Sequence, residues 1–315
     1  MLFISIIILA FSLLFLVLAS EKIITSAVRL SNLTGFSEFA IGTVVIAIGT
    51  SLPELVISIL SMFEKSSELS IGLLLGSSIA DMTIVFGIVC FSAFILSKKE
   101  VGVVETVSLS SLLVVFALIL GTIDLAFGIF SIILFSMFIM IILKKHYTIK
   151  DGKKPWILTP EIVTQSAILI ISIITIVISA RFVVSSATEL ALYFNTPSLL
   201  IGAVIIGLGT VLPETAVSIM AIKKRNISLA IGNVAGSVVV NIALIMGMVS
   251  IAMPLALDSV TKMIMYAFLA ISILFIGMAI HRKYGRLQGI LLIATYVAFV
   301  VMMIWVGMNT SMIYS

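Results

Sequence analysis

The chain has 315 residues, of which 62% are hydrophobic and only 10% charged, and its mean hydropathy is +1.36. Soluble domains run nearer about 45–50% apolar and 25% charged, so the composition excludes an ordinary soluble fold and predicts an all-α polytopic membrane protein. The formal net charge of +4 would suggest an anionic partner for a soluble chain, but here the basic residues sit in short loops and read as topology signals; nucleic-acid binding is excluded.

A membrane-spanning helix needs ~20 mostly apolar residues, and ten such segments are predicted, near 2–19, 38–62, 69–95, 101–121, 125–143, 161–190, 198–222, 228–253, 259–280 and 287–308. The first has small residues at Leu18-Ala19-Ser20, as a signal peptide would. It lacks a basic leading region, however, and at an offset of 160 it matches the start of the sixth segment, so it reads as a span. Basic residues alternate between loops. Lys98, Lys99, the lysines from Lys144 to Lys154, Lys223, Lys224, Arg225, Arg282, Lys283 and Arg286 all fall on one side, whereas Lys65 and Lys262 fall on the other. The positive-inside rule therefore predicts both termini outside and the 144–160 loop in the cytoplasm, and the expected location is the plasma membrane. Cys90 is the only cysteine, so no intramolecular disulfide or cysteine metal cluster is possible.

Sliding the chain on itself by 160 residues aligns 41–81 with 201–241 without a gap. The string Gly49-Thr50-Ser51-Leu52-Pro53-Glu54 returns as Gly209-Thr210-Val211-Leu212-Pro213-Glu214, and Gly72, Gly76 and Ser77 return as Gly232, Gly236 and Ser237. The chain divides into a five-helix repeat over 1–143, a polar linker over 144–160 and a second five-helix repeat over 161–315. Five is odd, so the second repeat must enter the membrane inverted. Inverted repeats of this kind place their sites near the midplane, at interrupted helices.

The repeated string puts a glutamate into an apolar span twice, at a cost of at least ~2.5–3.5 kcal/mol each by insertion scales. A proline inside a helix cannot donate to the carbonyl four residues back and pushes it aside. Pro53 thus frees the carbonyl of Gly49, and Pro213 that of Gly209; in lipid such groups need a partner. Thr50 and Glu54 share a helical face, as do Thr210 and Glu214. Each repeat offers backbone oxygen, hydroxyl and carboxylate within one turn, the set that a hard cation such as Ca²⁺ takes. One copy alone could be a kink with a hydrogen-bonded glutamate; two facing copies favour a cation site.

The next helix of each repeat adds Gly76-Ser77-Ser78-Ile79-Ala80-Asp81 and Gly236-Ser237-Val238-Val239-Val240-Asn241. Ser77 shares a face with Asp81, and Ser237 with Asn241. The glycines upstream form small-xxx-small patterns that let helices approach closely. These paired motifs, in inverted halves of five spans, resemble the sodium/calcium exchangers of the cation/Ca²⁺ exchanger superfamily. The resemblance implies an antiporter, not an enzyme, exchanging Ca²⁺ for Na⁺ by alternating access. It implies a central Ca²⁺ site on Glu54 and Glu214 with the backbone oxygens of Thr50 and Thr210. It also implies flanking Na⁺ sites using Ser51, Ser77 and Ser237, backbone oxygens of Ala47 and Gly207, and the side chains of Asp81 and Asn241. No cofactor is expected beyond the transported ions; the partners are those ions and the lipid bilayer, and a monomer should suffice.

Three departures leave the coupling ion open. Val211 replaces the hydroxyl of Ser51, Leu73 stands where the second repeat has Asn233, and the acidic member of the Asp81/Asn241 pair falls on the first repeat. Fewer coupled Na⁺, H⁺ coupling or another divalent cation are the alternatives. Carboxylates in a low-dielectric centre repel, and a divalent ion or several monovalent ions would neutralise them. Both loads together would crowd the same oxygens, so occupancy should be mutually exclusive. Near the ends of the first and sixth spans Glu21 aligns with Arg181 and Arg29 with Glu189, which reads as interfacial snorkelling in preference to a gating ion pair.

Overall fold

A computed structural model describes residues 2–34, 48–64, 66–92, 101–146, 159–194, 196–223, 227–281 and 285–313. Ala47 and most of the 144–160 linker, with the basic loop residues Lys98, Lys99, Lys224 and Arg225, lie outside the described residues. The elements are α1 (Leu2–Thr34), α2 (Leu52–Phe63), α3 (67–92), α4 (Val101–Leu120), α5 (Leu125–His146), α6 (Pro160–Tyr193), α7 (198–210), α8 (Leu212–Lys223), α9 (227–252), α10 (Ser259–His281) and α11 (Arg286–Ile313), with β1 (Thr122–Ile123) and β2 (Leu255–Ala256). Among the described residues seven segments are long and apolar enough to cross a membrane, including the continuous stretch Ser198–Lys223. Three shorter apolar helices, Leu52–Phe63, Thr106–Leu120 and Leu125–Met140, fall in the second, fourth and fifth predicted segments. The protein is an integral, multi-pass, all-α membrane protein.

The first helix is longer than its apolar run. It continues from Ala19 through Glu21 and Lys22 to Thr34, because charge at a helix exterior ends hydropathy without ending hydrogen bonding. α1 and α6, of 33 and 34 residues, would each extend about 50 Å at 1.5 Å per residue, well beyond a ~30 Å hydrocarbon core; tilt accommodates such length. They pack along each other antiparallel, and the Ser5 hydroxyl of α1 donates to Glu189 Oε2 of α6 at 2.6 Å. This register places Arg29 some 24 residues along from Ser5, roughly 36 Å from Glu189. The two are not an ion pair, and Glu21 and Arg181 are both exposed.

α1 and α6 share an apolar cluster, Leu9, Leu16, Ala19, Ile176, Ala180, Val183, Val184 and Ala187, which takes in Ile57, Leu69, Leu73, Ile201 and Ile206 of the helices behind, with Leu52, Val56 and Leu60 of α2 packed against it. The larger core is separate. It joins α3, α4, α5, α9, α10 and α11 through residues such as Phe86, Phe127, Phe268 and Phe275.

Glycines set the closest approaches in that larger body. A Cβ on Gly72 would be driven into the carbonyl of Leu199, and one on Gly76 into that of Ala203, so α3 lies backbone to backbone on α7. Two further contacts echo each other across the halves: Gly289 of α11 against the Gly87 carbonyl, and Gly128 of α5 against the Gly247 carbonyl, each 2.6 Å from an added Cβ. At one end of the bundle Gly121, with φ of +72°, reverses the chain into β1, which pairs antiparallel with β2 as Thr122↔Ala256 and Ile123↔Leu255.

Gly76→Val should destabilise the fold by about 3 kcal/mol, at the upper end for an overpacked interior, whereas Gly121→Ala should cost only ~1–2 kcal/mol for its left-handed backbone. Thermal unfolding of the detergent-solubilised variants measures both, and equal midpoints would contradict the close packing of α3 on α7.

Candidate functional site

Both copies of the repeated motif break the helix at the same place. Ser51 has φ −83° and ψ 8°, and Val211 has φ −81° and ψ 3°. These near-identical values lie in the sparsely allowed bridge region. Each helix restarts at once, with Leu55 N–H donating to the Ser51 carbonyl and Thr215 N–H to the Val211 carbonyl, both at 3.0 Å. Proline suits this restart, since the first turn of a helix leaves its N–H groups unpaired anyway. The break turns Thr50, Glu54, Thr210 and Glu214 inward, where all four are 0–1% exposed.

The second motif acquires a feature that composition does not announce. α3 widens into a π-helical turn at Asp81–Val85, and α9 does so at Val240–Ile245. A third wide turn, Gly202–Ile206, delivers Gly207 to the site. Such turns occur mostly as single insertions and often at functional sites. Here they carry Asp81 and Asn241 into the same interior, both fully buried.

Side chains from the two halves interlock. Ser237 donates to Glu214 Oε1 at 3.4 Å, the Thr50 and Ser237 hydroxyls lie 3.3 Å apart, and Asn241 Nδ2 donates to Ser77 Oγ at 3.1 Å. Thr210 faces Glu54 and Thr50 faces Glu214, so each carboxylate stands beside the threonine of the other repeat. The carboxyl groups of Glu54, Asp81 and Glu214 are within electrostatic reach of one another. Ser51 Oγ, both oxygens of Glu54 and of Asp81, Glu214 Oε2 and Asn241 Oδ1 have no hydrogen-bond partner within the protein. The Gly207 carbonyl accepts from Thr210 Oγ1 at 3.4 Å. Of the predicted residues only Ala47 lies outside the described region. Among the described residues no three His, Cys, Asp or Glu side chains gather into a group that could hold a metal ion unaided; a cation here would have to draw further oxygens from hydroxyls, amides and main chain.

The sodium/calcium exchanger protein family model matches residues 4–144 and 164–305, nearly the whole chain in two blocks. The chain belongs to the sodium/calcium exchanger family. It is 29% identical to the sodium/calcium exchanger MaX1 of Methanosarcina acetivorans, over 97% of this chain and 100% of that one. The inner membrane protein YrbG of Escherichia coli is 28% identical, over 94% of this chain and 95% of its own length. A solved structure of the sodium-calcium exchanger NCX_Mj, soaked with Na⁺ and Sr²⁺, superposes with a TM-score of 0.69 at 28% identity, covering 96% of this chain and 99% of the other. The family is one of transporters, and its fold is that of this exchanger.

Sequence reasoning noted Asn233 only as a departure; in the exchanger it is a junction. Its Nδ2 donates to the Glu214 carbonyl at 3.2 Å and to Ser218 Oγ at 3.3 Å, and its Oδ1 accepts from Thr50 Oγ1 at 3.5 Å. One amide thus ties the kinked turn of the second repeat to the threonine of the first. The first repeat has Leu73 at this position, and its Ser58 hydroxyl is left without a partner. The signal that would have found Asn233 is an amide at a position where its repeat mate is apolar.

The site is enclosed by α1, where Leu13 lies against Gly209, 2.9 Å from an added Cβ. An apolar groove of about 470 Å³ runs along the outside of α1 and α6, lined by Phe11, Phe15, Ile178 and Phe182. It holds none of the site carboxylates.

Asn233→Leu would make the second repeat resemble the first. It should cost about 1–3 kcal/mol, the penalty for leaving Ser218 and the Glu214 carbonyl short of a donor, seen as a lowered unfolding midpoint.

Proposed function

We propose that the protein exchanges Ca²⁺ for Na⁺ across the membrane by alternating access, with the ions bound at a midplane site on Glu54 and Glu214. The observation that carries this reading is the buried set of carboxylate, hydroxyl and amide oxygens contributed by both halves and left largely without partners in the protein. Buried polar groups are normally hydrogen-bonded, and a buried carboxylate needs a counter-charge. A divalent ion supplies that charge, and hard oxygen donors are its preferred ligands. Thr50 and Thr210 would complete the Ca²⁺ shell with their main-chain oxygens. Ser51, Ser77, Ser237, Asp81, Asn241 and the carbonyls of Ala47 and Gly207 would hold Na⁺ around it.

Competition follows from charge and space. Ca²⁺ neutralises two carboxylates, several Na⁺ ions do the same, and both loads together would need the same oxygens. Alternating access would be a sliding of α1 and α6 across the remaining helices. The separation of the α1–α6 cluster from the larger core favours this motion, and so do the apolar, non-directional contacts that the cluster makes with the helices behind. The two five-helix repeats, 1–143 and 161–315, would then be joined by the 144–160 linker in the cytoplasm, with both termini outside the plasma membrane. One chain contains both halves of the site, which supports a functional monomer.

A second reading couples Ca²⁺ to H⁺, and Val211 favours it. Its side chain is buried where the first repeat has the free hydroxyl of Ser51, so one candidate Na⁺ position lacks a ligand. Ca²⁺ uptake into proteoliposomes driven by an outward Na⁺ gradient, with the proton gradient collapsed, supports Na⁺ coupling; uptake that follows only a proton gradient supports the other.

Glu54→Gln and Glu214→Gln should each lower Ca²⁺ flux by roughly 100-fold, the consequence of losing about 3 kcal/mol from a charged ligand contact. Wild-type flux in both variants would overturn the site assignment.

A further inference from the structure

A row of hydroxyls leaves the site in one direction only. On α2, Glu54, Ser58 and Ser61 follow at intervals of four and three and so share a helical face. All are fully buried, and neither Ser58 Oγ nor Ser61 Oγ has a partner in the protein. Ser70 on the adjoining α3 is likewise fully buried and without a partner.

The second repeat reveals how these residues oppose one another. Ser237 reaches Glu214 and Asn233 reaches Ser218, which fixes the antiparallel register of α8 on α9. The same spacing on α2 and α3 sets Ser77 opposite Glu54, Leu73 opposite Ser58, and Ser70 opposite Ser61. The row therefore runs about 10 Å from Glu54, seven residues at 1.5 Å each, to the end carrying Glu64 and Ser66. That end also carries Gly121, whose carbonyl accepts from Leu257 N–H, and Asp258, which is within electrostatic reach of Glu68.

The equivalent row in the second repeat is closed. Ala221 and Ala230, both buried, stand where the first repeat has Ser61 and Ser70, and Ser218 is bonded to Asn233. Alanine at those places shows that the fold has no need of a hydroxyl there. Serine in a helix can satisfy itself on the carbonyl four residues back, as Ser78 does on Leu74 at 2.7 Å, yet Ser58, Ser61 and Ser70 do not. Unpaired buried hydroxyls in an interior are the groups that ordered water normally satisfies.

We propose that Ser58, Ser61 and Ser70 line a water-filled seam between α2 and α3 that connects Glu54 with the membrane face bearing Glu64 and Ser66, and that the second repeat has no counterpart. The seam admits water and small monovalent cations to the carboxylate from that face. It rests on the reading of Glu54 as a transport ligand.

The test uses the full chain in a Cys90→Ala background, which removes the sole cysteine. Ser61→Cys and Ser70→Cys are compared with Ala221→Cys and Ala230→Cys, and Ag⁺, a thiol-reactive cation close in size to Na⁺, is applied to right-side-out and inside-out vesicles. Thiols that survive are counted after denaturation. The seam predicts that Ser61→Cys and Ser70→Cys react at least tenfold faster than the two alanine-site cysteines, and from the face of Glu64 and Ser66. Equal rates, or faster reaction from the opposite face, would overturn it. Should the cysteine variants fail to fold, Ser61→Ala and Ser70→Ala carry the test: Ca²⁺ exchange should turn over several-fold more slowly with KM unchanged, and wild-type turnover would refute the seam. Labelling does not depend on transport, so reactive thiols combined with normal flux in Glu54→Gln would leave the seam standing while the site reading falls.

Discussion

Everything in this fold answers to the cost of holding carboxylates in a medium that does not solvate them. Glu54, Asp81 and Glu214 are fully buried and within electrostatic reach of one another, and a polar group in hydrocarbon must find its partner inside the protein or in a bound species. The helix breaks at Ser51 and Val211 and the wide turns at Asp81 and Val240 all bring oxygen toward those charges. Irregular backbone at membrane depth survives only where protein or a polar cavity surrounds it. The glycine contacts of α3 on α7 supply that surround by bringing the two backbones together without side chains between them.

The two halves are not equivalent, and the differences lie along a single line of contacts. Asn233 ties the second repeat's turn to Thr50, whereas Leu73 leaves the first repeat's turn without that tie. Ser51 keeps a free hydroxyl where Val211 has none. Asp81 brings a charge where Asn241 brings an amide that donates to Ser77. Each exchange makes the second repeat the better-satisfied half and the first the one with oxygen to spare.

Much of the fold was legible in the sequence because membranes penalise polarity so heavily. A glutamate in an apolar run is a costly choice, and its return 160 residues later exposed the duplication, the inversion and the facing site together. What stayed hidden has no compositional signature. The wide turns at Asp81, Gly202 and Val240 differ from an α-helix by one residue per turn and use the same amino acids. The run of α1 through Glu21 and Lys22 was hidden because hydropathy reports the solvent and not the hydrogen bonding. The serines of α2 were unremarkable as residues, since serine usually bonds to its own helix; only their unpaired hydroxyls distinguish them.

The length of α1 and α6 completes the physical picture. Two antiparallel helices of about 50 Å cross a ~30 Å core only at a slant, and their shared apolar cluster meets the larger body through side chains of α2, α3 and α7. Leu13 rests on Gly209, a residue with no side chain to interlock with it. The Ser5–Glu189 bond lies at one end of the pair and joins α1 to α6, not either one to the helices behind. The residues of the other helices in their shared cluster, Ile57, Leu69, Leu73, Ile201 and Ile206, are apolar side chains that make no directional bond. In contrast α3, lying backbone to backbone on α7, cannot shift without collision.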